Sequence, residues 1–328
     1  MDTAPRIGEN HAMSMGNVGM APDADRGIKA TIIINNYNYG RFLAAAIESA
    51  LNQTYANTEI VVVDDGSTDD SRQIIAGYGG RVRPVLKANG GQASAFNAGF
   101  AASTGDVICM LDADDLFRPD KVAQIAGTFR SHPEIHWVFH PVCRIYEDGR
   151  EQPTPQLQST LYTDVRAPAL RGKLPGPLGP VTSGIAMSRP LLERILPMPE
   201  SIRITADNYL IFLAVALELG VYLNEVLAVQ CIHGSNMYTL RGDRLLTQAR
   251  IHLLIAREMR WRFPQLSALS NRIFSKALGD YVRAFRRDAT CESTIKDYVQ
   301  NTKIRQLPDL ILRAGYHSIR RSFAKRAD

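Results

Sequence analysis

The 328-residue chain is 45% hydrophobic with a net charge of +5, which suits an ordinary globular protein with a large core in one big domain or two smaller ones. No apolar stretch is long enough to span a bilayer, and the opening "MDTAPRIGENHAMSMGNVGMAPDADRG" lacks the apolar block of a secretory signal, so the expected location is cytoplasmic. Cys109, Cys143, Cys231 and Cys291 are scattered without CxxC pairing, which argues against a disulfide framework or a zinc knuckle and reads as buried thiols.

Charge is unevenly spread. From residue 241 onward 19 Lys and Arg face 8 Asp and Glu, a surplus of eleven, whereas the preceding residues hold 19 against 25. A basic appendage on an acidic body can meet anionic lipid or an acidic partner, or simply present solvated helix faces. No interleaved aromatic and basic recognition motif appears, which argues against nucleic acid.

Residues 1–28 mix Gly, Met, Asn and Asp without period and read as a disordered leader. "KATIIINNYN" is a β-branched strand ending in Asn, and "YGRFLAAAIESALNQ" has helical spacing. "EIVVVDDGSTDDSRQIIAGY" repeats the scheme, with Ile60 to Val63 as a buried strand and Ser67 or Thr68 as a helix cap. A third strand, "RVRPVLK", precedes the loop "ANGGQ" and the helix "ASAFNAGFAAS"; a fourth, "DVICML", runs into Asp112, Asp114 and Asp115 of "MLDADDLF". Strands alternating with helices predict an α/β fold with a mostly parallel sheet, whose ligand site lies beyond the carboxyl ends of the strands.

Downstream, "HWVFHPVCRIYE" predicts one or two strands, "RPLLERIL" a short helix, "TADNYLIFLAVALELG" a longer one and "VYLNEVLAVQCIH" a final strand pair. The Pro- and Gly-rich segment from Val165 to Ser183 is either a lid over a bound acceptor or a plain surface loop. After residue 241 the chain reads as helices, the last with Leu312, Tyr316, Ile319 and Phe323 in one stripe beside Arg313, Arg320 and Arg321.

Asp-x-Asp at a strand end, with oxygen ligands and no Cys or His cluster beside it, suits Mg²⁺ or Mn²⁺ sharing its shell with phosphate oxygens; the alternative is an acidic loop capping the next helix. Asp64 and Asp65 stand at a second strand end, where a carboxylate can accept from a ribose or a base. Tyr37 can stack on a base. The glycines of "NGG" allow close backbone approach, and Asn89 and Asn97 are neutral donors. Neither GxGxxG nor GxxxxGK[ST] follows the first strand, which weakens dinucleotide and Walker readings.

Together "IIINNYNYGRFLAAAIESALNQTYANTEIVVVDDGSTDDS" and "KANGGQASAFNAGFAASTGDVICMLDADDLFRPDKV" resemble the nucleotide-binding half of the family 2 glycosyltransferases of GT-A fold. The resemblance covers about residues 30–125. It implies a Rossmann-like mostly parallel sheet flanked by helices and inverting transfer of a hexosyl or N-acetylhexosaminyl group from a nucleotide sugar. By similarity Asn35, Tyr37 and Asp65 contact the base, usually uracil. Asp112 lies near the ribose and Asp114 on the metal, with Asp115 as an alternative or supporting ligand. "ITADNYLIFLAVALELG" is similar to the segment supplying the catalytic base, which falls on Asp207; Ala206 stands where the family often has Glu. "VQCIHGSNMY" resembles the loop whose His, here His233, reaches the metal or diphosphate.

"REMRW", residues 257–261, resembles the QxxRW signature of processive members with Arg257 in the Gln position, against a plain basic helix face. Lacking guiding transmembrane helices, the chain reads as a single-addition enzyme. The implied layout is a GT-A catalytic domain at 29–240, with a nucleotide-binding half at 29–140 and an acceptor-binding half at 141–240. A basic helical extension follows at 241–328. A glycan or lipid-linked acceptor is expected, together with either peripheral contact with anionic membrane or a homodimer interface. Three rivals stand beside this. A haloacid-dehalogenase-type phosphatase needs its Asp pair on the first strand, and a sugar nucleotidylyltransferase needs an early Gly-rich basic loop. A non-catalytic nucleotide-binding protein keeps the fold alone.

Overall fold

The computed structural model describes residues 27–152, 159–173, 180–236 and 242–324, the side chains of 305 and 319–324 excepted. The expected leader therefore lies outside the described residues up to residue 26, as do 174–179 of the Pro- and Gly-rich segment.

The first half runs β1 (Ala30–Asn36), α1 (Gly40–Leu51), β2 (Thr58–Asp64), α2 (Ser71–Gly77), β3 (Arg83–Leu86), α3 (Gln92–Ala102) and β4 (Val107–Asp112). β1 lies between β2 and β4, parallel to both, and β3 extends the sheet beyond β2. Alternation along these strands sends Ile33, Val61, Val63, Ile108 and Met110 into one core and Ile32, Ile34, Ile60, Val62 and Leu111 into another. Both faces are thus covered, which is why the strands read as unbroken apolar runs. Register levels their polar ends: Asn35 pairs with Asp112 and Asn36 with Asp64.

The chain continues through β5 (Leu116–Phe117), α4 (Lys121–Ser131), β6 (Trp137–Phe139), β7 (Val142–Tyr146), β8 (Glu151–Gln152), β9 (Leu161–Thr163), α5 (Arg166–Leu170), β10 (Ile185–Ser188), α6 (Arg189–Ile195), α7 (Asp207–Leu217), β11 (Gly220–Tyr222) and β12 (Ala228–Ile232). The large sheet has the order β3-β2-β1-β4-β10-β6-β11-β9, with β10 antiparallel to both neighbours. A second sheet, β5-β12-β7-β8, stands beside it. Two local expectations change. "HWVFHPVCRIYE" forms two strands in different sheets, and the expected final pair β11 and β12 is likewise split, because each finds its partner far away in sequence. Nor do Ser67 or Thr68 cap α2: its N-cap is Asp70, Asp69 accepts the Ser71 N–H, and Ser67 Oγ accepts from Asn38 N–H.

Helices α8 (Arg244–Arg262), α9 (Ser267–Ala284), α10 (Ala289–Gln300) and α11 (Leu307–Ala324) complete the chain. Their apolar faces continue the core of the large sheet, and Arg262 donates to the carbonyls of Ile195 (2.9 Å) and Pro197 (2.8 Å). Among the described residues no helix is long and apolar enough to cross a membrane. On α11, Leu310 and Ala314 are buried, whereas Leu312 and Tyr316 are exposed; the side chains of Ile319, Arg320, Arg321 and Phe323 lie outside the described residues. The guanidinium of Arg257 lies 5.2 Å over the Trp261 ring and 3.7 Å from Asp297 of α10, so "REMRW" belongs to the helical face.

Candidate active site

A cleft of about 710 Å³ opens at the carboxyl edge of β1, β2 and β4. Asn35, Tyr37, Asp65, Asn89, Asp112, Asp114, Asp115 and Asp207 all line it, so residues spread over 173 positions converge. Arg144, Tyr146, Gln230 and Ile232 of the second sheet form another wall. Pro180 to Thr182, the described end of the expected lid, line it as well.

Asp112 ends β4, and its Oδ1 accepts from Asn35 (3.2 Å) and Gln92 (3.3 Å). Burial, reinforced by the charges of Asp114 and Asp207, pushes its carboxyl up to about 7. Asp115 points into the protein, where it accepts from Ser183 Oγ (2.6 Å) and Cys231 N–H (3.1 Å). Burial and its two acidic neighbours hold it well above the usual carboxylate range. Asp114 accepts from His233 Nε2 and from Asn236, each at 3.0 Å. Beneath them Lys121 is fully buried, donates to the Ser183 carbonyl (2.6 Å) and lies 3.4 Å over the Phe117 ring. Burial pushes its amine down to about 7.

Carboxylate oxygens of Asp112, Asp114 and Asp115 lie within 4.8 Å of one another. Three hard oxygen donors crowded together fit a divalent cation, which would relieve the repulsion between their charges. His233 is not part of this group, but its ring reaches Asp114 directly.

Asp65 is buried, and both its oxygens are engaged: Lys87 Nζ (2.7 Å) and Gly90 N–H (2.9 Å) reach one, Gly91 N–H (2.7 Å) the other. Gly91, at φ +88°, lets the loop pass so close to Arg203 that a Cβ would stand 2.7 Å from its Cα. Asn89 donates to the Asp65 carbonyl (3.0 Å) and accepts from Arg203. Asn97 does not join the cleft. Its amide brackets Met198, donating to the carbonyl (2.9 Å) and accepting from the N–H (2.8 Å), which fixes the segment after α6. Asp207 opens α7 and accepts the Asn208 N–H (2.9 Å); burial pushes it up to about 6.

Sequence reasoning missed Gln92, Lys121, Ser183, Arg203 and Asn236. Only Gln92 carried a signal, directly following the "NGG" loop at a helix start.

The family described as glycosyl transferase family 2 matches residues 31–196, just over half of the chain. An uncharacterized glycosyltransferase of Nostoc sp. (strain PCC 7120) is 39% identical over 216 residues, 64% of this chain and 66% of that protein. Chondroitin synthase of Pasteurella multocida is 35% identical over 122 residues, 36% of this chain and 13% of the synthase. The chain thus spans just under two thirds of the first relative and a small part of the second. Among solved structures, S. aureus TarS 1–349 in complex with UDP-GlcNAc has a TM-score of 0.60 at 18% identity, covering 88% of this chain and 80% of that one, which shows a shared fold. On the family match, the relatives and the architecture, the chain belongs to glycosyl transferase family 2 and has a GT-A fold.

Proposed function

We propose that the protein moves a single sugar, with inversion, from a nucleotide sugar to a hydroxyl of a glycan or lipid-linked acceptor, using a divalent metal. The observation that carries this is the convergence of Asp112, Asp114 and Asp207 on one cleft with Asn35, Tyr37 and Asp65. Asn35, Tyr37 and Asp65 take the base, uracil in this reading; Asp65 Oδ2, which accepts only from Gly91, keeps a lone pair for it. Asn89 shapes that wall, and Asp112 faces the ribose. Asp114, with Asp115 behind it and His233 beside it, holds Mn²⁺ or Mg²⁺, which when bound neutralises charge on the departing diphosphate. Asp207 takes the proton from the acceptor hydroxyl as that oxygen attacks the anomeric carbon, so its raised proton affinity serves a base. The UDP-GlcNAc bound by TarS, a protein of like fold, supports a UDP-sugar donor.

Thermal unfolding with UDP, GDP and dTDP, each with Mn²⁺ and with chelator, tests this. A native-state ligand at a hundred times its dissociation constant adds about 2.7 kcal/mol of stability. A UDP shift that needs Mn²⁺ is expected; no shift with any nucleotide would favour a non-catalytic protein on the same fold.

The basic helices suit peripheral contact with an anionic membrane and hence a lipid-linked acceptor. Exposed Leu312 and Tyr316 beside Arg313 on α11 support this reading.

A further inference from the structure

We infer that Gln92 is a positioning residue: it clamps a strained turn at Thr205 and thereby fixes where Asp207 stands relative to Asp112. This rests on the reading of Asp207 as the base. Thr205 has φ +49°, a left-handed conformation in which a β-branched side chain crowds the backbone. Such a conformation persists where its surroundings over-determine it.

Gln92 supplies much of that determination. Its main-chain N–H donates to the Arg203 carbonyl at 2.8 Å, and the next N–H, of Ala93, reaches the Ile202 carbonyl at 3.4 Å. Its side-chain Oε1 accepts the N–H of Ala206 at 2.8 Å, while Nε2 donates to Asp112 Oδ1 at 3.3 Å. Residue 205 is thus held from both sides, through 203 and 206. The next residue after Ala206 is Asp207, the first of α7, so any rotation at the turn swings this carboxylate. Arg203 ties the same turn back to the loop that cradles Asp65, donating to the Gly90 carbonyl at 3.3 Å and to Asn89.

The residue type follows from these contacts. A carboxamide accepts from Ala206 and donates toward Asp112 at once. Glutamate would keep the first contact and set another negative charge against Asp112, and leucine would keep neither.

Amide hydrogen exchange on the full chain tests the clamp without any substrate. In Gln92→Leu, exchange at Ala206 should quicken about tenfold, as expected for one lost hydrogen bond, with β1 and β4 unchanged. Gln92→Glu, which keeps an acceptor for the Ala206 N–H, should retain most of the protection. Alongside, UDP release from UDP-glucose and UDP-GlcNAc should show kcat lowered about ten- to a hundredfold in Gln92→Leu at unchanged donor KM. Unchanged exchange at Ala206 overturns the clamp. A raised KM with kcat retained overturns positioning and makes Gln92 a donor contact. If Asp207→Asn releases UDP as the wild type does, the base reading has failed, and the exchange result then judges the clamp alone.

Discussion

His233 Nε2 donates a hydrogen bond to Asp114. The two atoms are 3.0 Å apart, while Nδ1 receives the Ser235 N–H at 3.2 Å and faces the Arg41 guanidinium at 3.4 Å. Both groups facing Nδ1 are donors, so Nδ1 accepts and the proton stands on Nε2. The ring is locked by stacking on Phe42, 4.2 Å between centroids. In this state His233 orients the Asp114 carboxylate; becoming a metal ligand would require surrendering that proton.

His233→Phe keeps the stacking and removes the donor. Mn²⁺ affinity in the presence of UDP, measured by calorimetry, should fall about ten- to a hundredfold, the usual cost of losing a group that orients a ligand. The melting temperature should move little. Unchanged Mn²⁺ affinity would remove His233 from the metal site.

Asp207→Asn should lower transfer by about 10²- to 10⁴-fold, the range supplied by a positioned base, while the Mn²⁺-dependent thermal shift with UDP stays. To act as the proposed base Asp207 must be ionised, and burial has pushed it up to about 6. The kcat profile should therefore bend near pH 6 and fall on the acid side. A profile flat to pH 5 would assign the proton transfer to another group.

How much of this was legible follows from where each signal lives. The strand, turn and helix rhythm of residues 30–115 is local, and β1, β2 and β4 level Asn35, Asp64 and Asp112 at one edge as their runs predict. Asn97 was misread because only its helix was seen. It stands five residues after Gln92, about 140° round α3, so it faces Met198 and not the cleft. The two-sheet arrangement was not legible, since β12 pairs with β5 and β7 across long stretches of chain that leave no local period. The place of Gln92 after the "NGG" loop is legible but its contacts are not, because its partners at 203 and 206 are more than a hundred residues away.

Metal binding should depend on pH with a definite sign. Asp112 is pushed up to about 7 and Asp115 well above its ordinary range. For carboxyls raised in this way, the folded state holds protons that the unfolded chain releases. Their contribution to stability is fully present below the unfolded carboxylate range and is lost as pH rises through about 7. His140, held neutral by burial, acts oppositely below its usual range, so chelated protein alone is a mixed readout. The difference between Mn²⁺ and chelator isolates the triad, because a cation must displace those protons. Stabilisation by Mn²⁺, read as the shift in melting temperature, should grow from pH 5.5 to 7.5; a shift independent of pH would place the metal elsewhere.

The outer face of α11 offers the last test. Leu310 and Ala314 pack inward, and a Cβ on Gly279 of α9 would stand 2.7 Å from the Ala314 carbonyl, so this contact leaves no slack. Leu312 and Tyr316, at 72% and 57% exposure, lie on the opposite side. Replacing both with Glu should alter folding stability by no more than about 0.5 kcal/mol, as for surface positions generally. It should abolish co-sedimentation with vesicles containing anionic lipid, because it removes apolar contact and adds like charge near the membrane. Raised salt should weaken the wild-type association in the same assay. If the wild type ignores vesicles but loses a dimer mass on light scattering when these two residues change, the stripe joins two copies of the chain. The lipid-linked acceptor then loses its support from this helix.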